Sequence, residues 1–320
     1  MIGGVNDDGG GMADTQTSIN EGLTSAPSPL AGRPGSEDFA VVWKEIQRLG
    51  LEPHVAELEA VGYTIIPPDR LAPPEFVTRI RDALVATAER RSGSKLDLDA
   101  GAQPDAQPAV PWDPFTFMLF EDPVFSEAVL NPVPLALADY AVGRSCMLST
   151  CIGLVKGPGA APMGLHTDNK ALGIPSPYPA YPLLLNCTWL LTDYTKSGGA
   201  LCLVPGSQSY GRGPGAGEGA EEVVAVEAPA GSMVVWSGSI WHGSFPRTIP
   251  GIRLTLVTIY TRPFVIPQER YREEVTPELL QQNLPRFAEL MGKNLYQYCF
   301  KEEGYDFNKV VRTPGNSWWD

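Results

Sequence analysis

Apolar residues recur at helical spacing early in the chain and in short strand-like runs further on. Phe39, Val42, Trp43 and Ile46 share one helical face and predict an amphipathic helix from about Ser36 to Leu49. A second short helix is expected over His54–Val61, then a strand Tyr63–Ile66 closed by Pro67 and Pro68. After Pro73 and Pro74, Phe76, Ile80, Ala83, Leu84 and Ala88 line one face of a longer helix. Residues 92–113 are polar, with Gly and Pro throughout, and predict a long loop. A short strand is expected over Phe115–Met118, and helical patterning runs from Pro123 to Val142.

From residue 146 the pattern changes. Leu148–Val155, Leu183–Leu191, Ala200–Val204, Glu222–Glu227, Ser232–Trp236 and Arg253–Tyr260 are short β-rich runs between Gly/Pro turns. Such spacing predicts a sandwich or barrel. Helix returns at the end, with Thr276 as cap, Pro277 opening, and Leu279, Leu280, Leu284, Phe287 and Leu290 as the apolar stripe. The expected organisation is a disordered tail over 1–37, too poor in large apolar residues to offset its ordering entropy, and one domain over 38–320.

Composition narrows the function. The formal net charge is −13, which disfavours nucleic acid and anionic membranes as partners. No window holds enough consecutive apolar residues for a membrane-spanning helix, and the N-terminal stretch lacks a secretory pattern. The 5 cysteines are odd in number, form no CxxC and fall partly in apolar runs, which predicts reduced thiols and a cytoplasmic location.

Only 3 histidines are present, His54, His166 and His242, so imidazole chemistry must draw on these. Gly164-Leu165-His166-Thr167-Asp168-Asn169 carries the sharpest local signal. In extended chain, residues two apart point the same way, so His166 and Asp168 converge. His242 lies just past the strand ending at Trp236, where a neighbouring strand can bring it beside the pair. Two His and one carboxylate on one face of a metal leave the other face open, as in non-haem Fe(II) sites. A short HxD also arises by chance, and a plain surface hydrogen bond is the bland alternative. Arg253 opens an apolar strand, and a buried guanidinium there needs an anion. A dicarboxylate would pair with it through two parallel hydrogen bonds, and Ser244 could donate another. A structural ion pair is the alternative, and Arg247 and Arg262 are competing candidates.

Several of these segments, in order, resemble the phytanoyl-CoA dioxygenase-like branch of the Fe(II)/2-oxoglutarate oxygenases. They are Val155–Gly159, His166-Thr167-Asp168, Thr188–Asp193, Gly198–Leu201, Val204–Ser207, Ala230–Ser232, Trp241–Ser244 and Arg253. The chain departs at Gln208, where the family usually has His. The resemblance implies a double-stranded β-helix, or jelly roll, over about 146–265, with helices flanking it. It implies Fe(II) bound by His166, Asp168 and His242, and 2-oxoglutarate held by Arg253 and Ser244. It also implies that Trp189 lines the co-substrate pocket, core packing being the alternative. O2 would be the oxidant, succinate and CO2 the co-products, and ascorbate a stimulant. Related halogenases replace the carboxylate ligand with a small residue, so Asp168 implies hydroxylation or a related C–H oxidation.

The expected substrate is a mostly apolar small molecule, a secondary metabolite or lipid-like compound, because the 157–182 stretch is sparse in charge. Phe115, Phe117, Tyr178, Tyr181 and Tyr210 are expected near the pocket mouth, and Trp112 could touch substrate. His54 is expected on the surface without a role. A non-oxidative jelly roll, such as a zinc hydrolase or isomerase or a binding module, is the competing reading.

Overall fold

The computed structural model describes residues 35–102 and 115–293. Most of the expected tail, together with Trp112, Cys299, Trp318 and Trp319, lies outside the described residues. Helix α1 (Gly35–Leu49) buries Val42 and Ile46, and α2 (Glu52–Val61) ends on Gly62 in the left-handed conformation (φ 84). Strand β1 (Tyr63–Ile66) and helix α3 (Pro74–Ser92) follow as the pattern predicts. Residues 96–102 form a small hairpin inside the expected loop.

The helical pattern over 123–142 is split into α4 (Pro123–Val129) and α5 (Pro132–Val142). Pro132 disfavours helical backbone at Asn131, whose side chain instead accepts from the Val133 N–H at 2.9 Å and starts α5. The same physics breaks the final helix. Pro277–Gln282 and Pro285–Leu290 are separate short helices, and Leu284, expected in the apolar stripe, is 65% exposed ahead of Pro285. The strand expected at Phe115–Met118 reduces to one bridge, Phe115 with Gly153, followed by a tight turn.

The β region holds β2 (Met147–Lys156), β3 (Met163–His166), helical turn α6 (Asp168–Ala171), β4 (Leu184–Leu190), β5 (Leu201–Leu203), β6 (Val224–Ala225), β7 (Met233–Ser237), β8 (His242–Ser244) and β9 (Arg253–Thr261). They form two antiparallel sheets, one in the order β1-β7-β4-β9-β2 and the other β3-β8-β5-β6. Antiparallel sheets thus dominate, with helices flanking them, as expected of the jelly roll.

The larger sheet is buried on both faces, so its strands are apolar nearly throughout. Alternation along each strand sorts side chains between two cores. Leu185, Cys187, Trp189, Leu254 and Leu256 pack towards the helices with Ile80, Leu84 and Phe125. Leu190, Val234 and Trp236 pack inward with Leu201 and Leu203 of the smaller sheet. The described cysteines are all buried free thiols, and burial pushes Cys146 up to about 12. They are inert packing groups here.

Candidate metal centre

The smaller sheet brings the two distant histidines together. Strands β3 and β8 pair antiparallel with His166 opposite His242, so both side chains leave the same face. Their ring centroids are 4.3 Å apart. Thr167 then leaves the strand and caps α6, its Oγ1 accepting from the Lys170 N–H at 3.2 Å. Asp168 therefore reaches the histidines from the first position of a helical turn rather than from extended chain. Its Oδ1 lies 3.5 Å from His242 Nε2, and its Oδ2 accepts from Asn186 Nδ2 at 2.7 Å. One donor atom from each of His166, Asp168 and His242 lies within 4.8 Å of the others.

The donor set fits a divalent metal ion. His166 Nδ1 lies 3.0 Å from the Gly164 carbonyl, and His242 Nδ1 lies 3.1 Å from that of Ile240. A carbonyl only accepts, so each Nδ1 carries the proton and each Nε2 presents a lone pair. Burial lowers the pKa of His242, with Asp168 partly opposing, which favours the neutral form that ligates. Trp236 packs against the His242 ring at 5.5 Å between centroids.

Deeper in the same space lies a cationic floor. Arg253 stands opposite Lys156 in the β9–β2 register, and both are 7% exposed. Arg253 donates to the Gly199 carbonyl and lies over the Tyr194 ring at 5.0 Å, yet its Nε is buried without a partner. Thr188 Oγ1, which alternation places on the inner face, is also buried without one. Lys156 Nζ donates to Ser244 Oγ at 3.0 Å and to the Phe245 carbonyl at 2.6 Å. Burial, with Arg253 alongside, lowers Lys156 to about 8. Ser244 Oγ also accepts from the Met163 N–H at 3.2 Å, so its own hydroxyl hydrogen is free to donate. Among the described residues no carboxylate pairs with Arg253. The orphaned Nε and the clustered positive charge fit the carboxylate of an organic acid.

Lys156 escapes sequence reasoning because only strand pairing, not spacing, sets it opposite Arg253. Gly199 has a similar hidden reason. It adopts φ +79, and a Cβ there would meet Lys156 Cε at 3.1 Å and Arg247 Cβ at 3.2 Å. The competing arginines are engaged elsewhere. Arg247 donates to the carbonyls of Gly198, Pro250 and Gly251, and Arg262 to those of Ala141 and Pro182.

Several expected positions need correction. Trp189 is fully buried on the helix-facing side, edge-on to Phe76 at 5.7 Å, because it alternates with the inward-facing Asn186 and Thr188. It does not line the co-substrate pocket. Phe117 packs with Phe120 and Tyr271 in the helical layer, and Phe115 packs against that same core. Tyr178 reaches only as far as the turn that carries Asp168, its OH 2.9 Å from Thr167 Oγ1. Tyr181 stacks under Arg262, and Tyr210 stands half exposed against Trp241. His54 is half-buried and bonded to Thr64 Oγ1 at 2.7 Å, not free on the surface.

A profile of the phytanoyl-CoA dioxygenase family matches residues 58–255. The chain belongs to that family. Dioxygenase af480 of Aspergillus fumigatus is 29% identical over 292 residues, covering 89% of this chain and 92% of its own length. The epimerase SnoN, solved with Fe3+, alpha ketoglutarate and nogalamycin RO, matches with TM-score 0.51 at 19% identity, over 72% of this chain and 91% of its own. EctD from S. alaskensis, solved with 2-oxoglutarate and 5-hydroxyectoine, matches with TM-score 0.54 at 18% identity, over 72% of this chain and 82% of its own. Membership makes this chain an iron- and 2-oxoglutarate-dependent oxygenase acting on a small molecule, and the donor set and cationic floor fit both groups. No helix among the described residues is long and apolar enough to cross a membrane.

Proposed function

We propose that this protein hydroxylates an unactivated C–H bond of a mostly apolar small molecule, such as a secondary metabolite or lipid-like compound. One observation carries the reading: a His-Asp-His donor set stands above a buried Arg-Lys floor that holds an unpartnered Nε. His166, Asp168 and His242 hold Fe(II), and Arg253 with Lys156, Ser244 and Thr188 holds the distal carboxylate of 2-oxoglutarate. When bound, iron with 2-oxoglutarate and O2 would supply the oxidising power for inserting one oxygen atom into the substrate, the other ending in succinate with CO2 released.

The chain's own residues do the rest. Asn186 orients Asp168, and the Gly164 and Ile240 carbonyls orient the two imidazoles. Arg253 would fix one end of the co-substrate and so hold it in a single orientation. Leu184, Val257 and Ile259 form an inward apolar patch with Ile152, Leu154 and Leu172, beyond the metal-facing Asn186. That wall excludes water and favours a hydrocarbon surface. A carboxylate at Asp168 occupies the third ligand position, which supports oxygen transfer rather than halogenation.

The test is a panel of apolar, ring-bearing small molecules, scored by succinate release above the substrate-free rate and by product mass. The expected hit gains the mass of one oxygen atom. A hit that releases succinate but leaves the substrate's formula unchanged, or removes two hydrogens, contradicts hydroxylation.

A further inference from the structure

A cavity of about 350 Å³ is lined by Glu59, Tyr140, Tyr178, Tyr181, Leu185 and Ser237 among others. None of its lining residues is a proposed metal or co-substrate ligand. Leu185 and Ser237 are register partners on β4 and β7, and Leu185 packs on the helix-facing side, opposite Asn186. The cavity therefore backs onto the metal centre instead of opening into it.

Its chemistry is specific. The size suits one small organic molecule. Three tyrosine rings, with Leu58 and Leu185, offer flat apolar surface. Glu59 is the one charged side chain in the lining. Tyr140 OH donates to Glu59 Oε1 at 3.1 Å, which leaves the other carboxylate oxygen to accept. An amine on a ring-bearing body satisfies that combination, and an organic acid of the same shape does not.

The wall is also tied to the turn that carries Asp168, on both sides of that residue. Tyr178 bonds Thr167 at 2.9 Å, and Ser239, another lining residue, accepts from Asn169 Nδ2 at 3.0 Å. Both Thr167 and Asn169 are fully buried, so a shift of either wall group is transmitted to Asp168.

We propose that this cavity is a second small-molecule site, selective for a compact ring-bearing amine, and that its occupancy is linked to metal binding through the Thr167–Asn169 turn. Only the linkage rests on the metal reading above. Binding is tested on the metal-free full chain by ligand-observed NMR, with phenethylamine as probe and phenylacetate as its anionic counterpart. Phenethylamine binds at least about tenfold more tightly, Glu59→Gln erases that preference, and Ala180→Trp, which sets a large ring at the cavity lining, abolishes binding. Equal binding of the two probes, or amine binding that survives both substitutions, overturns the site. Linkage is tested by Co(II) titration with and without phenethylamine. The wild-type Co(II) dissociation constant shifts, and Tyr178→Phe keeps the amine but loses the shift. Amine binding with an unmoved Co(II) constant overturns the linkage. Failure of Co(II) to bind at all counts against the metal centre and leaves the amine result standing.

Discussion

Arg253 and Lys156 face each other in register on adjacent strands, two buried cations at the floor of one pocket. Like charges so placed repel, and both lose hydration. A bound carboxylate relieves both costs at once. Arg253→Met is expected to weaken 2-oxoglutarate binding by about a hundredfold or more, since breaking a buried charged pair costs roughly 3 kcal/mol, and Lys156→Met by about tenfold, roughly 1.4 kcal/mol. Titration of the Fe(II)-loaded protein under anaerobic conditions measures both. Equal affinity in wild type and Arg253→Met would remove the floor's assigned role.

Lys156 also sets a pH dependence. Its folded value of about 8 lies below its ordinary value of 10.5, burial being the main cause and Arg253 the next. Between those values the unfolded chain holds a proton that the folded chain has released, so this group's contribution to stability rises with pH across that window. The penalty is fully present below pH 8. Thermal midpoints of the ligand-free protein, referenced to Lys156→Met, should rise through the window. Affinity for 2-oxoglutarate should fall over the same range, because a neutral amine no longer pairs with a carboxylate. A flat difference between the two proteins contradicts the assignment.

Asn186 holds one oxygen of Asp168 at 2.7 Å, leaving the other toward His242. Asn186→Ala is expected to cost about 10- to 100-fold in metal affinity while the fold persists, as outer partners of metal ligands usually do. Co(II) titration with far-UV circular dichroism checks both halves. An unchanged metal constant would show that Asp168 is positioned by its own turn alone.

Trp189 belongs to the other face. Trp189→Ala should destabilise the protein by about 3–5 kcal/mol through the cavity it leaves. Trp189→Phe, which keeps most of the packing, should leave 2-oxoglutarate affinity unchanged. A large affinity loss in Trp189→Phe would return this residue to the pocket.

These cases show what the chain makes legible. Apolar periodicity locates α1, α3 and the strands, because burial on one face or both imposes a pattern on the sequence. The breaks at Asn131 and Leu284 come from the following prolines, whose effect on the preceding residue a continuous apolar stripe conceals. His166, Asp168 and His242 stand out because histidine is scarce and the HxD spacing is short. Their approach depends on the His166–His242 strand pair and on Thr167 turning the chain, neither of which spacing encodes. Lys156 and the face of Trp189 are matters of register and alternation phase, so a shift of one residue exchanges pocket for core.

The most direct test of the central claim is an anaerobic Fe(II) titration with 2-oxoglutarate, watching for the weak visible iron-to-ketoacid charge-transfer band. The band is expected in wild type, lost in His166→Ala, and displaced to far higher 2-oxoglutarate concentration in Arg253→Met. Folded wild-type protein that binds Fe(II) and develops no band at any 2-oxoglutarate concentration would contradict it.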